Sequence, residues 1–381
     1  MKTRIAVVGT GAMGKGIVSV IKKHKDMEVS AIADIEPKAL ERTRPFLTSE
    51  ALVTTEPIEV LDTNPDILID ATPTILEAAV LAKEALRRKI NVILMNGEVD
   101  QVYGRLLAQE ADSNGVIVTS DSGDQHGVLG RQIEEINSMG FEIVMAGNNK
   151  GFLYKYANPD SIVEEAAKRR LTLHQCTAYT DGTKLAIEMA IIANAKGLGL
   201  LQTGMVGPRA ETVQDSLKVF DLDRARELGG VVDYVLGARP GGSVFTIGYS
   251  NDPEDRFYMN YYKMGEGPYY VFLRPYHLCH FETPLTIRRI MNAKKPILVQ
   301  RKRVLEVGTR AKRDLEKGTV LDGIGGFNTY GVLEKPGSLP IGLSEGVFLR
   351  KSKKKDDPIE WDDIEFDIDD PRIELWEEQQ D

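Results

Sequence analysis

The sequence predicts an α/β protein in three parts: a doubly wound parallel sheet, a central α+β region and a small all-β region at the C-terminal end. Three observations predict it. A short β-branched run passes directly into a glycine-rich turn and an amphipathic helix. Strand and helix patterns then alternate as far as Ser120, the rhythm of a parallel sheet covered on both faces. Past Pro296 the helical periodicity gives way to short strand patterns and many turns.

The first element is Arg4-Ile5-Ala6-Val7-Val8, an apolar strand. Gly9-Thr10-Gly11-Ala12-Met13-Gly14 follows at once, and Ile17, Val18, Val20 and Ile21 then share one helical face. A second strand, Val29–Ala33, ends in Asp34, twenty residues past Gly14. Strand, G-x-G-x-x-G, helix, strand and acid in this order form the dinucleotide-binding fingerprint of a Rossmann sheet. Gly9 permits the tight turn, Gly11 lets the backbone approach the pyrophosphate, and Gly14 lets helix and strand pack closely. The helix N-terminus offers N–H groups and a positive dipole to the phosphates. Asp34 is expected on the ribose diol, which favours NAD over NADP, with Arg42 and Arg44 the residues that would accommodate NADP.

The alternation continues. A buried strand, Asp66–Asp70, leads to the turn Ala71-Thr72-Pro73, and a helix is expected over about Thr74–Arg88. Next come the strand Asn91–Met95, a helix near Val102–Ser113 and the strand Val116–Ser120. Ligands of such sheets lie beyond the carboxyl ends of the strands. That places three loops toward the nicotinamide: Ala71-Thr72-Pro73, Asn96-Gly97-Glu98, and Asp121 to His126.

In the centre, the strand Glu142–Ala146 precedes a loop at Gly147-Asn148-Asn149-Lys150-Gly151, and Asn158 or Asp160 caps a short helix to Arg170. Tyr179-Thr180-Asp181-Gly182-Thr183-Lys184 enters an apolar helix, Leu185–Ala195. Val232–Leu236, Ser243–Gly248, Phe257–Lys263 and Tyr269–Leu273 read as antiparallel strands, with Met264–Pro268 the turn of the last hairpin. Pro284–Ala293 reads as a helix capped by Thr283 that packs back on the first region. The tail predicts a strand through Ile364, Phe366 and Ile368 and a short helix around Ile373–Glu378.

Length and composition set the frame. At 381 residues the chain is too long for one core, and the expected divisions are 1–150, 151–300 and 301–381. With 42% hydrophobic and 28% charged residues, extensive disorder is excluded. No run approaches the ~20 apolar residues of a membrane span, and the first strand leaves no room for a signal peptide. The two cysteines, Cys176 and Cys279, form no metal-like pair, so a reducing cytoplasm is expected. The net charge of −9 is concentrated in residues 356–381, which hold thirteen acids against one base, Arg372. The body is therefore near neutral, and neither nucleic acid nor membrane is an expected partner. A homo-oligomer stays open.

Several motifs together carry a resemblance over nearly the whole chain. They are Gly123-Asp124-Gln125, Gly147-Asn148-x-Lys150-Gly151, Asp181-Gly182-Thr183-Lys184 with Glu188-Met189-Ala190, and Leu321-Asp322-Gly323-Ile324-Gly325-Gly326-Phe327. The sequence resembles homoserine-dehydrogenase-like oxidoreductases that carry a C-terminal SAF domain, and among them the deoxyxylulose-phosphate-reductoisomerase-like branch. The resemblance implies a β-clip fold for the end of the chain, through Arg313–Leu321 and Leu339–Leu343. It also implies NAD or NADP as cofactor and hydride chemistry, with a phosphorylated sugar as one substrate. Asp181 and Lys184 resemble the catalytic aspartate–lysine pair of homoserine dehydrogenases, one residue closer together. The loop Asn96-Gly97-Glu98 lacks the lysine those enzymes carry there, which argues against homoserine as substrate.

The residues themselves point to the same chemistry. Moving hydride to or from a carbonyl carbon needs a second group that moves a proton. Lys184 opens an apolar helix just after Asp181, and partial burial there would lower its pKa. Lys150 is a second candidate, for a substrate carboxylate or phosphate, and a solvated loop lysine is an equal reading of it. Asp124, with Asp121 and His126, reads as substrate contact, a divalent-metal site or plain turn chemistry. The expected sites are thus Lys184, Asp181, Lys150 and Asp124 for catalysis, and Gln125, His126, Asn148 and His277 for substrate. For cofactor they are Gly9, Thr10, Gly11, Ala12, Met13, Gly14, Asp34, Ala71, Thr72, Pro73, Asn96 and Glu98. His277-Leu278-Cys279-His280 lacks the spacing and further ligands of a zinc site, and no metal is expected. The expectation is an NAD(P)-dependent oxidoreductase acting on a small hydroxy or oxo compound. The alternative is a dinucleotide-binding sensor without turnover.

Overall fold

The computed structural model describes residues 2–169, 171–367 and 369–379. Its contacts divide the chain into two units, each assembled from separate stretches: Met1–Val128 with Leu278–Arg301 and Glu374–Asp381, and Leu129–His277 with Lys302–Ile373.

The first unit is a parallel sheet. Its elements in chain order are β1 (Thr3–Val8), α1 (Ala12–Ile21), β2 (Met27–Ala33), α2 (Pro37–Thr43), β3 (Leu52–Thr54), β4 (Ile67–Asp70), α3 (Leu76–Arg87), β5 (Asn91–Leu94), α4 (Gly97–Asn114) and β6 (Val118–Ser120). The strands lie in the order β3-β2-β1-β4-β5-β6, every neighbouring pair parallel. The order reverses between β1 and β4, so the crevice for a nucleotide opens beyond the ends of these two strands. Ile5, Val7, Ile67, Ile69 and Ile93 are fully buried against Ile17, Val18 and Ile21 of α1. Each such side chain contributes about 1.5–3 kcal/mol on burial.

The second unit holds α5 (Gln125–Ser138), whose first turn belongs to the first unit, then β7 (Glu142–Lys150), α6 (Val163–Arg169), α7 (Leu173–Asp181) and α8 (Thr183–Lys196). It continues with α9 (Ser216–Val219), α10 (Leu222–Glu227), β8 (Val231–Leu236), β9 (Val244–Tyr249), α11 (Pro253–Tyr261) and β10 (Tyr269–Arg274). Four strands form a mixed sheet in the order β10-β9-β7-β8, with β7 and β8 parallel and the other pairs antiparallel. After α12 (Thr283–Arg288), which belongs to the first unit, come the short strands β11 (Glu306–Ala311), β12 (Thr329–Glu334), β13 (Phe348–Leu349), β14 (Pro358–Ile359) and β15 (Ile364–Glu365), then α13 (Pro371–Glu377). These strands pair antiparallel as β12-β11-β14 and β13-β15. Helix α8 is buried from Thr183 to Asn194 and packs against β7, β8, β11 and β12, which is why its sequence is apolar all round. Among the described residues no helix is long and apolar enough to cross a membrane.

The α/β class and the element order agree with the sequence, and several local expectations do not. Phe257–Lys263 is not a strand but the second half of α11 and the turn after it: Asp252 accepts from Glu254 N, Pro253 takes the first position, and Glu254 and Asp255 favour the helix dipole. Met264–Pro268 accordingly joins a helix to β10. The loop expected at 147–150 is the end of β7, because Asn148 and Lys150 pair in register with β8. Asn96 turns its loop into the start of α4 by accepting from the N–H groups of Glu98 and Val99. Gln125 and His126 likewise open α5 rather than lie in a loop. Thr283 does not cap α12, since its hydroxyl is given to Asp121 at 3.1 Å. The tail strand spans only Ile364–Glu365, and Ile368 and Arg170 lie outside the described residues.

Candidate functional site

The nucleotide fingerprint has the geometry its glycines require. Gly9 has φ +84°, and a Cβ on it would lie 2.6 Å from the Ala71 carbonyl carbon. A Cβ on Gly14 would lie 1.8 Å from Gly9 O, so the turn and helix α1 close on each other only with glycine there. Gly11 is different: nothing lies within 4 Å of its Cβ position. Gly11, Ala12 and Met13 are exposed, and no side chain caps the start of α1. This leaves an open, dipole-positive surface of backbone for a pyrophosphate, so the residues present fit a dinucleotide.

Asp34 stands at the end of β2 beside this turn. Its Oδ2 accepts from Thr10 N at 2.6 Å and from Thr10 Oγ1 at 3.0 Å, and its Oδ1 accepts from Glu36 N at 2.9 Å. At the end of β4, Asp70 Oδ1 accepts from Thr72 N and Thr72 Oγ1 at 3.1 and 2.8 Å. Burial pushes the Asp70 carboxyl up to about 7, the Thr72 and Asn96 hydrogen bonds opposing only in part. Asn96, besides capping α4, donates Nδ2 to Thr74 O at 2.6 Å. Ala71, Thr72, Pro73, Asn96 and Glu98 therefore gather at the carboxyl ends of β4 and β5.

After β6 the expected substrate loop is largely structural. Asp121 is fully buried and accepts from Thr286 Oγ1 at 2.6 Å, which fastens α12 to the sheet. Gly123 meets Cys279 so closely that a Cβ would lie 1.8 Å from its carbonyl oxygen. Asp124 accepts from Gln125 N at 2.8 Å, and His126 Nδ1 lies 3.9 Å from Asp124 Oδ2. His277, in the second unit, donates Nδ1 to Gly242 O at 3.0 Å.

In the second unit the proton-bearing residues converge on α8 and β7. Asn148 and Lys150 alternate with Asn149 along β7, so the first two share one face of the sheet. Asn149 points the other way and donates to Ala238 O and Pro240 O at 2.8 and 2.7 Å. On the α8 side, Glu188 is 1% exposed, and its Oε2 accepts from Asn148 Nδ2 at 2.9 Å and from Lys150 Nζ at 3.5 Å. Lys184 stands one helical turn before Glu188 and is 8% exposed. The structure thus brings Asn148, Lys150 and Glu188 together, with Lys184 on the same helix. Glu188 was absent from the expected sites; its signal was an acid four residues after Lys184 in an otherwise apolar helix.

Asp181 has a different setting from the one expected of a partner to Lys184. Its Oδ2 lies 2.8 Å from Lys312 Nζ, and its Oδ1 accepts from Thr183 N at 2.9 Å. Burial pushes its carboxyl up, and the Lys312 ammonium opposes this. Lys312 follows β11, within 301–381, where none of the expected site residues lies.

Two stretches of the chain match known families. Residues 9–120 match the family described as homoserine dehydrogenase, NAD binding domain, and residues 123–283 match oxidoreductase DRL, catalytic domain. A homoserine dehydrogenase of Bacillus subtilis (strain 168) is 27% identical over 209 residues, 50% of this chain and 48% of that protein; the match spans about half of the relative's length. A hyperthermophilic archaeal homoserine dehydrogenase solved in complex with NADPH superposes with TM-score 0.50 and 16% identity, covering 78% of this chain and 99% of the other. A probable dehydrogenase from Thermotoga maritima gives TM-score 0.47 and 14% identity over 77% and 90% of the two chains. At these identities the likeness to solved structures concerns the fold alone. The chain therefore joins a stretch similar to a homoserine dehydrogenase NAD-binding domain, residues 9–120, to a stretch similar to the catalytic domain of oxidoreductase DRL, residues 123–283.

Proposed function

We propose that this protein transfers hydride between a nicotinamide and a small hydroxy or oxo compound bearing an anionic group, a phosphorylated sugar or a carboxylate, with Lys184 moving the proton. The bound dinucleotide supplies the hydride-transfer chemistry. The observation that carries this reading is the group on α8 and β7, Lys184, Glu188 and Asn148 buried and Lys150 partly buried.

A lysine amine held at the reacting oxygen can act as a general base or, protonated, as a general acid. Such an amine accepts the proton of an alcohol as it is oxidised, and as an ammonium returns it to the alkoxide in reduction. Lys150 supplies positive charge for a carboxylate or phosphate, and Glu188, held by Asn148, fixes its direction. Asp181 tunes the start of the helix rather than transferring a proton.

The test is turnover, followed at the reduced-nicotinamide absorbance, with a panel of hydroxy acids, polyols, sugar phosphates and L-homoserine. Turnover of at least one member by the unmodified protein and its loss in Lys184→Met support the reading. Tight NADH binding with no turnover across the panel would make the chain a sensor.

A further inference from the structure

The C-terminal strands make an intimate junction with the start of the site helix. Lys312 is 5% exposed, and its ammonium donates to Ala157 O at 2.7 Å and to Gly326 O at 2.8 Å besides facing Asp181 at 2.8 Å. Two backbone carbonyls accept its protons, and the Asp181 carboxylate faces it as an ion pair. Beside it, Gly331 N donates to Thr183 Oγ1 at 2.8 Å, and a Cβ on Gly325 would lie 2.1 Å from His174 O in α7. Asp181 in turn accepts from Thr183 N, across Gly182, whose φ of +93° turns the chain from α7 into α8. The joint between the two helices is therefore held by one buried ion pair, Lys312 with Asp181, and one hydrogen bond from β12, Gly331 N to Thr183 Oγ1.

We infer that Lys312 is a positioning residue: it anchors Asp181, sets the turn that opens α8, and thereby fixes the Lys184 amine. This rests on the proposed role of Lys184. A buried pair in itself contributes little stability, and apolar residues of similar volume often replace it without loss. Its loss is instead felt in geometry. The charged groups around the joint are Asp181 from α7, Glu188 on α8, Lys150 from β7 and Lys312 after β11.

The experiment reads Lys184 directly and needs no substrate. The unmodified protein, Lys312→Met and the double variant Lys312→Met/Asp181→Leu are acetylated with acetic anhydride over a pH series, and Lys184 is quantified by peptide mass spectrometry. Thermal melting and NADH binding report folding. Lys312→Met leaves a buried carboxylate alone and is expected to melt lower; the double variant is expected to melt near the unmodified protein. In the double variant the Lys184 labelling rate is expected to change at least threefold, with a displaced pH midpoint. A folded double variant whose Lys184 profile superposes on that of the unmodified protein would overturn the inference. Full turnover by Lys184→Met would instead overturn the catalytic reading of Lys184 and leave the positioning result intact.

Discussion

Thr10 donates both its backbone N–H and its hydroxyl to one oxygen of Asp34, at 2.6 and 3.0 Å. The acid expected to read the ribose is thus tied to the phosphate turn itself, and its carboxylate is held at a fixed place.

Cofactor choice follows. A carboxylate fixed there repels a 2′-phosphate and accepts a diol. NADH is expected to bind more tightly than NADPH, and Asp34→Ser to narrow the gap. Fluorescence titration of both nucleotides checks this, and a clear NADPH preference in the unmodified protein would sink it.

Gly11 and Gly14 are expected to respond oppositely to alanine. Gly14→Ala drives a methyl into Gly9 O and is expected to lower the melting temperature by several degrees. Gly11→Ala meets no protein atom, so the melt is expected to hold while NADH affinity falls at least about tenfold, because the methyl occupies the path of the pyrophosphate. Melting curves and titrations on the two variants separate fold from ligand.

Asp70 sets a pH dependence of stability. Its carboxyl titrates near 7 when folded and near 3.8 as an ordinary carboxyl, so between these values the folded state binds the extra proton. Its contribution therefore falls as pH rises from about 4 to about 7 and is level above. Asp70→Asn is expected to flatten that limb and to raise the melting temperature at pH 8 relative to the unmodified protein. Melts over pH 5–8 decide it; parallel curves for the two proteins would contradict it.

Removing the Lys184 amine is expected to lower kcat by about a hundredfold or more, within the range of general acid–base catalysis. NADH affinity is expected to stay within twofold, because the fingerprint belongs to the other unit. Lys184→Met, assayed for both quantities, checks the split. A loss of NADH binding would reassign Lys184 to the fold and make Lys150 the leading proton carrier.

Truncation before β11 is expected to cost solubility. Asn194 at the end of α8 accepts from Val304 N and Leu305 N at 2.8 and 2.9 Å, and α8 is buried partly by β11 and β12. Deleting residues from Val304 onward uncovers an apolar helix, and aggregation by light scattering measures the result.

The sequence alone determined what local patterns determine. The order of strand, glycine turn, helix, strand and acid specified the nucleotide site, because turn geometry and dipole are properties of a few neighbouring residues. The apolar character of Leu185–Ala195 specified a helix buried on every side. Where side chains serve a partner far along the chain, local pattern carried no signal. Asp181 reads as the neighbour of Lys184, yet its charge is matched by Lys312, more than a hundred residues away. Phe257–Lys263 reads as a strand because aromatics favour strands, and the cap at Asp252 with Pro253 overrides that preference. Only the tertiary structure decided that Glu188 meets Asn148 and Lys150, since a strand face and a helix face are brought together by packing, not by spacing.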